Sequence, residues 1–134
     1  MATENIFDGG LREFLLEADD LTARVGPRIH RKKLPEGSPM PAVVISVISS
    51  VTGHDLAGRS GLDRHRVQID CYAKTQGEAS KVARAVLDAL DCFDGPMEPS
   101  TRVVALHLST QELEDQETKL HRALMDWRLS EHVP

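Results

Sequence analysis

The chain has 134 residues, with 16 basic and 21 acidic side chains and a formal net charge of −5. That length fits one domain of roughly 100–150 residues, large enough for a core without staples. The negative balance argues against strong non-specific nucleic-acid binding, the two cysteines (Cys71 and Cys92) are too few for a disulfide scaffold, and 40% hydrophobic with 28% charged residues is too ordinary for a disordered chain.

Leu11, Phe14, Leu15, Ala18 and Leu21 recur at three- and four-residue steps, which predicts an amphipathic helix over about 10–23, with Asp8 as its N-cap. Gly26-Pro27 then breaks the chain away from helical geometry. Residues 28–33 alternate poorly and read as a short, exposed strand that stops in the turn-rich 34–39 segment. The β-branched run Ala42-Val43-Val44-Ile45-Ser46-Val47-Ile48 is the strongest strand signal, and its continuity predicts that both faces are partly covered.

Residues 52–62 contain Gly53, Gly58 and Gly61 without periodicity, which predicts a long, mobile hairpin loop. A half-buried strand comes next, with Val67, Ile69, Cys71 and Ala73 inward and Arg66, Gln68, Asp70 and Tyr72 outward. Thr75 and Glu78 form a capping box for a second helix at about 76–90, whose stripe is Ala79, Val82, Ala83, Val86, Leu87 and Leu90. Residues 101–109 read as a strand with Val104, Leu106 and Leu108 inward and Arg102 and His107 outward. Residues 111–118 then form the acidic tip of a hairpin, and 119–130 the last strand, with Ala123, Met125, Trp127 and Leu129 inward.

The order α-β-β-β-α-β-β predicts an α+β fold: one domain over residues 1–134, with one mixed, mostly antiparallel sheet and two helices on one face. The strand before and the strand after the second helix should run parallel, joined by a right-handed crossover. The 52–62 loop precedes the first of these strands and the 111–118 tip comes after the other, so the two should project from opposite ends of the domain.

Charge is uneven. Residues 1–67 hold nine Lys/Arg and nine Asp/Glu, while residues 68–134 hold seven and twelve. The densest basic run is Arg28-Ile29-His30-Arg31-Lys32-Lys33; the densest acidic run is Glu112-Leu113-Glu114-Asp115-Gln116-Glu117. The basic run lacks aromatics to stack bases and reads as an edge strand guarded by charge. The acidic run reads as a solvated tip or an electrostatic docking surface.

Chemistry-bearing motifs are missing from the sequence. There is no His-Glu-x-x-His, Cys-x-x-Cys, Gly-x-Ser-x-Gly or phosphate-binding glycine pattern. His54 and Asp55 share the glycine-rich loop with Ser60, but neighbours in sequence do not make a triad. No metal and no cofactor is expected. Nor is a membrane partner: no apolar run reaches the ~18 residues of a membrane span. The first eight residues lack the basic and apolar parts of a secretory signal, and the last five carry no lipidation motif, so synthesis in a cytoplasm is expected.

An ordered set of fragments carries a family resemblance. It runs from Leu11-Arg12-Glu13-Phe14-Leu15 through Val25-Gly26-Pro27-Arg28-Ile29 and Pro41-Ala42-Val43-Val44-Ile45 to Arg66-Val67-Gln68-Ile69-Asp70-Cys71-Tyr72-Ala73. It continues through Glu78-Ala79, Val86-Leu87-Asp88-Ala89-Leu90 and Glu114-Asp115 to His121-Arg122-Ala123-Leu124-Met125-Asp126-Trp127. The set resembles the tail terminator (tail-completion, or head–tail joining) proteins of long-tailed phages, prophages and gene transfer agents.

The resemblance implies a structural virion protein with no catalytic residues. It implies a homo-hexameric ring that caps the tail tube, stops tube polymerisation and meets a head connector or head-completion protein. Such a subunit would be made in the bacterial cytoplasm and assembled at the head–tail junction of a virion or phage-like particle. A net-negative ring is compatible with DNA passing through its lumen. Assembly contacts are expected on the two tips, at Gly53, His54, Asp55 and Arg59 on one and Glu112, Glu114, Asp115 and Glu117 on the other. The alternatives are another neck or minor tail component, or a small hydrolase or metal-dependent protein using His54, Asp55, His65 and His107.

Overall fold

The computed structural model describes residues 6–98 and 100–132. Its elements are α1 (Ile6–Leu16), α2 (Asp19–Val25), β1 (Ile29–Arg31), β2 (Ala42–Asp55), β3 (Gly58–Ala73), α3 (Gln76–Leu90), β4 (Asp94–Met97), β5 (Ser100–Glu114) and β6 (His121–His132). The strands form one sheet in the order β1-β2-β3-β6-β5-β4, with β1 parallel to β2 and every other pairing antiparallel. This is the expected α+β class with more pieces.

The expected first helix is two helices. Its apolar spacing continues across the break, so Leu11, Leu15, Leu21 and Val25 are all fully buried. Between them Ala18 is extended, and the last turn of α1 closes with Glu17 N–H donating to Phe14 O and Ala18 N–H to Leu15 O. The break lets short α2 turn onto α3. α3 has the predicted bounds, and Thr75 Oγ1 caps it by accepting from Glu78 N–H at 3.2 Å.

The helices share one buried cluster with the inner sheet face. That face carries Val43 and Ile45 from β2, Val67, Ile69, Cys71 and Ala73 from β3, Ala123, Met125, Trp127 and Leu129 from β6, and Val103 and Ala105 from β5. Burial raises the Cys71 thiol pKa, which keeps it an inert core group.

The face expected for β5 is inverted. Val103 and Ala105 are buried, whereas Leu106 and Leu108 are 43% and 51% exposed. Trp127 and Leu129 of β6 already fill the space beside β5, so the smaller side chains turn inward. His107, expected outward, lies edge-on to Trp127 with ring centroids 5.2 Å apart. Asp94-Gly95-Pro96, just beyond α3, belongs to edge strand β4.

Both long loops are corrected as well. β2 and β3 pair out to Asp55 and Gly58, so the glycine-rich segment is a two-stranded ribbon with a tight turn. β5 likewise continues to Glu114 and pairs with His121. Glycine obscured the first pairing, and a polar strand with no buried face obscured the second. β3 and β5 run the same way, as expected, but β6 lies between them. The two tips therefore do leave opposite ends of the domain.

Candidate assembly surfaces

The β2–β3 ribbon leaves the helix-covered core after Val47. Its strands bend there, because the register slips by one residue between Val47 and Ser49 and leaves Ile48 bulged and 48% exposed. Val51 is 62% exposed, and Leu56 at the turn is fully exposed. Among the expected contact residues, His54 pairs with Arg59, and Asp55 pairs with Gly58. Asp55 Oδ1 accepts from Ala57 N–H at 2.8 Å and shapes the turn. Gly53 sits at a second irregularity, where a Cβ would collide with Leu62 O and Ser60 Oγ. Only glycine lets the two backbones approach there.

At the other end, Glu112 and Glu114 are exposed on β5 opposite Ala123 and His121. Asp115 builds the turn: its Oδ1 accepts from Glu117 N–H at 3.0 Å and Thr118 N–H at 3.4 Å. Those two bonds hold its carboxyl below the usual carboxylate range. The expected contact residues thus form two groups at opposite ends of the sheet, and Asp55 and Asp115 also build the turns that display them.

A polar cluster that the sequence reading missed roots the first ribbon. His65 is 6% exposed, with Nδ1 2.7 Å from Ser50 Oγ of β2 and Nε2 2.8 Å from Glu131 Oε1 of β6. Ser100 Oγ of β5 donates to the other oxygen of Glu131, and Phe7 of α1 stacks on the imidazole at 4.1 Å. The signal was present, because His65 continues the inward series of Val67 and Ile69. Ser, His and Glu in a string suggest a nucleophile, but the ring is sealed under Phe7 and the cluster acts as a strut joining four strands and α1.

Among the described residues, no helix covers the sheet's outer face. Arg122 grips Asp70 with two guanidinium nitrogens and lies 5.1 Å over the Tyr72 ring. Burial, then the Asp70 charge, raises the Tyr72 phenol pKa.

Beside β1 lies a cationic cavity of about 330 Å³, lined by Asp8, Arg12, His30, Arg31, Lys32 and Lys33 among others. Arg31 pairs with buried Asp8 at 3.1 Å and Arg12 with Glu13 at 3.4 Å, whereas Lys32 and Lys33 make no ion pair with a described residue. Partial burial and the charges of Arg12 and Arg28 hold the His30 pKa below its ordinary value. Lys32 has φ +73°, an uncommon conformation for a residue other than glycine.

Nothing in these surfaces converges on a reacting atom. His54, His65 and His107 occupy separate levels of the sheet, and no group of three or more His, Cys, Asp or Glu among the described residues could hold a metal ion. Among the described residues, no helix is long and apolar enough to cross a membrane. Projecting ribbons and an uneven charge distribution suit an assembly subunit.

Comparison with known proteins agrees. Residues 9–130 match the family described as tail completion protein gp17, and the chain belongs to that family. It is therefore a structural tail-completion protein, not an enzyme. A solved chain from the virion of a native gene transfer agent particle has the same fold, with a TM-score of 0.71 and 19% identity over 96% of this chain and 99% of that one. A second solved chain shares the fold at a TM-score of 0.58 and 14% identity, over 100% of this chain and 99% of its own. No curated protein matches.

Proposed function

We propose that the chain is a tail terminator: a ring subunit, six to a ring, that caps the finished tail tube, stops its polymerisation and joins it to the head connector. The observation that carries this reading is the pair of ribbons leaving opposite ends of one sheet. A subunit at a junction needs two axial faces, one for each neighbour, and a lateral surface for its own copies. Gly53, His54, Asp55 and Arg59 would serve one axial face, and Glu112, Glu114, Asp115 and Glu117 the other. The likeness to a gene transfer agent virion chain supports a particle of that kind, assembled after synthesis in the bacterial cytoplasm. The ring lumen would let DNA pass.

Imaging of purified particles tests this directly. The expected result is a six-fold ring of this chain between tube and connector, together with over-long, unattached tails when the chain is deleted. The chain at the distal tip, or in a single copy, would make it a minor tail component instead. Its absence from particles would remove the proposal.

A further inference from the structure

Three exposed arginines stand together on the outer sheet face, at the root of the β2–β3 ribbon. Arg64 and Arg66 alternate with buried His65 and Val67 on β3, and Arg128 lies between buried Trp127 and Leu129 on β6. The register sets Arg66 directly opposite Arg128, with Arg64 further toward the ribbon and opposite Ser130. Like charges directly opposite on one face destabilise a sheet. Little inside the subunit offsets them. Among the described residues the only ion pair of the group is Arg66 with Asp126 at 3.3 Å, and the same carboxylate also takes Gln68 and Ser109. Arg64 and Arg128 form no ion pair with a described residue.

Apolar side chains complete the patch. Ser49 and Val51 of β2 pair with Arg66 and Arg64 and share their face, as Leu106 of β5 does with Arg128. Leu108, bulged out of register between His107 and Ser109, is exposed beside them. Ser49, Val51, Arg64, Arg66, Leu108 and Arg128 are among the residues that line a cavity of about 180 Å³ there.

We propose, resting on the junction reading above, that this patch receives an acidic segment of the neighbouring protein that meets the β2–β3 ribbon. An apolar side chain of that segment enters between Val51 and Leu108, and carboxylates on either side of it meet Arg64, Arg66 and Arg128. Charge complementarity calls for an anionic partner, and the guanidinium forks match carboxylates with two-point contacts. Arginine beside exposed Val51, Leu106 and Leu108 is the composition of a protein interface, and the net charge of −5 opposes general attraction of DNA. The ribbon's neighbour is within reach, because Val51 is five residues from Leu56 at the turn, about 17 Å along a strand. A second copy in the same ring is not. Its dense acidic run stays level with Glu112, which pairs with Ala123, five residues from Arg128 and about 17 Å further from the ribbon.

The test uses the full chain and assembled particles. Arg64→Gln with Arg128→Gln should lower the yield of complete particles at least ~10-fold, while thermal unfolding of the free chain stays unchanged or rises because the repulsion is gone. A merely structural role predicts the reverse, a less stable chain, and that result would overturn the proposal. A second measurement places Leu108→Cys in a Cys92→Ser chain, where Cys71 is buried, and attaches a short photo-activated cross-linker to the new thiol. Illumination of intact particles should yield a peptide of a different protein with carboxylates on both sides of an apolar residue. A double variant that completes particles like wild type, a peptide from a second copy, a cross-link to DNA or no product would each overturn the assignment. Particles that hold this chain at the junction with the patch uncovered overturn the docking alone, whereas its absence from the junction overturns the junction reading too.

Discussion

His65 Nε2 lies 2.8 Å from Glu131 Oε1, tying β3 to β6 where the β2–β3 ribbon leaves the core. Because the imidazole is almost fully covered, the contact matters more than a surface pair would. Glu131→Ala leaves His65 and Ser100 without that partner and should cost about 1–3 kcal/mol, read from denaturant unfolding. Glu131→Gln should recover part of the loss. If the alanine variant unfolds like wild type, the cluster is not a strut.

Asp70 and Tyr72 give a second test, aided by Tyr72 being the only tyrosine. The folded phenol pKa is raised, so above a pH of about 10 the unfolded chain loses its proton first, and stability falls as pH rises toward the folded pKa. Asp70→Asn removes the second cause of the rise and frees Arg122 beside the ring. Ultraviolet titration should therefore find Tyr72 ionising at lower pH than in the wild type, while still above an unfolded reference because burial remains. An unmoved titration would separate Asp70 from Tyr72.

At Gly53 the expectation is steric. Alanine there must push the Leu62 carbonyl aside, costing about 1–3 kcal/mol and disturbing the ribbon beyond it. Hydrogen exchange should rise from Thr52 to Leu62 while α3 stays protected. Equal protection in the ribbon of both proteins would show that the bulge tolerates a side chain.

His30 sets an acid-side dependence. Its folded pKa is lowered, so below a pH of about 6.5 the unfolded chain binds the proton first and stability declines as pH falls, until the folded form protonates too. Unfolding midpoints between about pH 8 and about pH 5 should fall less steeply in His30→Gln than in the wild type. Identical slopes would mean that the cationic pocket does not act on His30.

Much of the core was readable from periodicity. α3 and its cap, the inward series of β3 and the inward series of β6 each had one strong apolar period and no competitor. β5 offered two alternations, Val103 with Ala105 and Val104 with Leu106, and the larger side chains misled. Only the volume already taken by Trp127 and Leu129 decides between them. The tips were placed at opposite ends from strand directions alone, but their pairing was hidden. A two-stranded ribbon outside the core has no buried face, and so no apolar alternation to read.

By itself the sequence determined the α+β class, the helix-covered face of β3 and β6, the separation of a basic run at 28–33 from an acidic run at 112–117, and the lack of catalytic and metal motifs. These depend on local chemistry and on spacing along one strand or helix. Tertiary structure alone decided that β6 lies between β3 and β5, that His65 is locked to Ser50 and Glu131, and that the strands bearing the basic and acidic runs lie on opposite sides of β2, β3 and β6. Each of those facts depends on which strand lies beside which. Backbone hydrogen bonding permits many strand orders, and the packing of α3 against Trp127 and its neighbours selects this one.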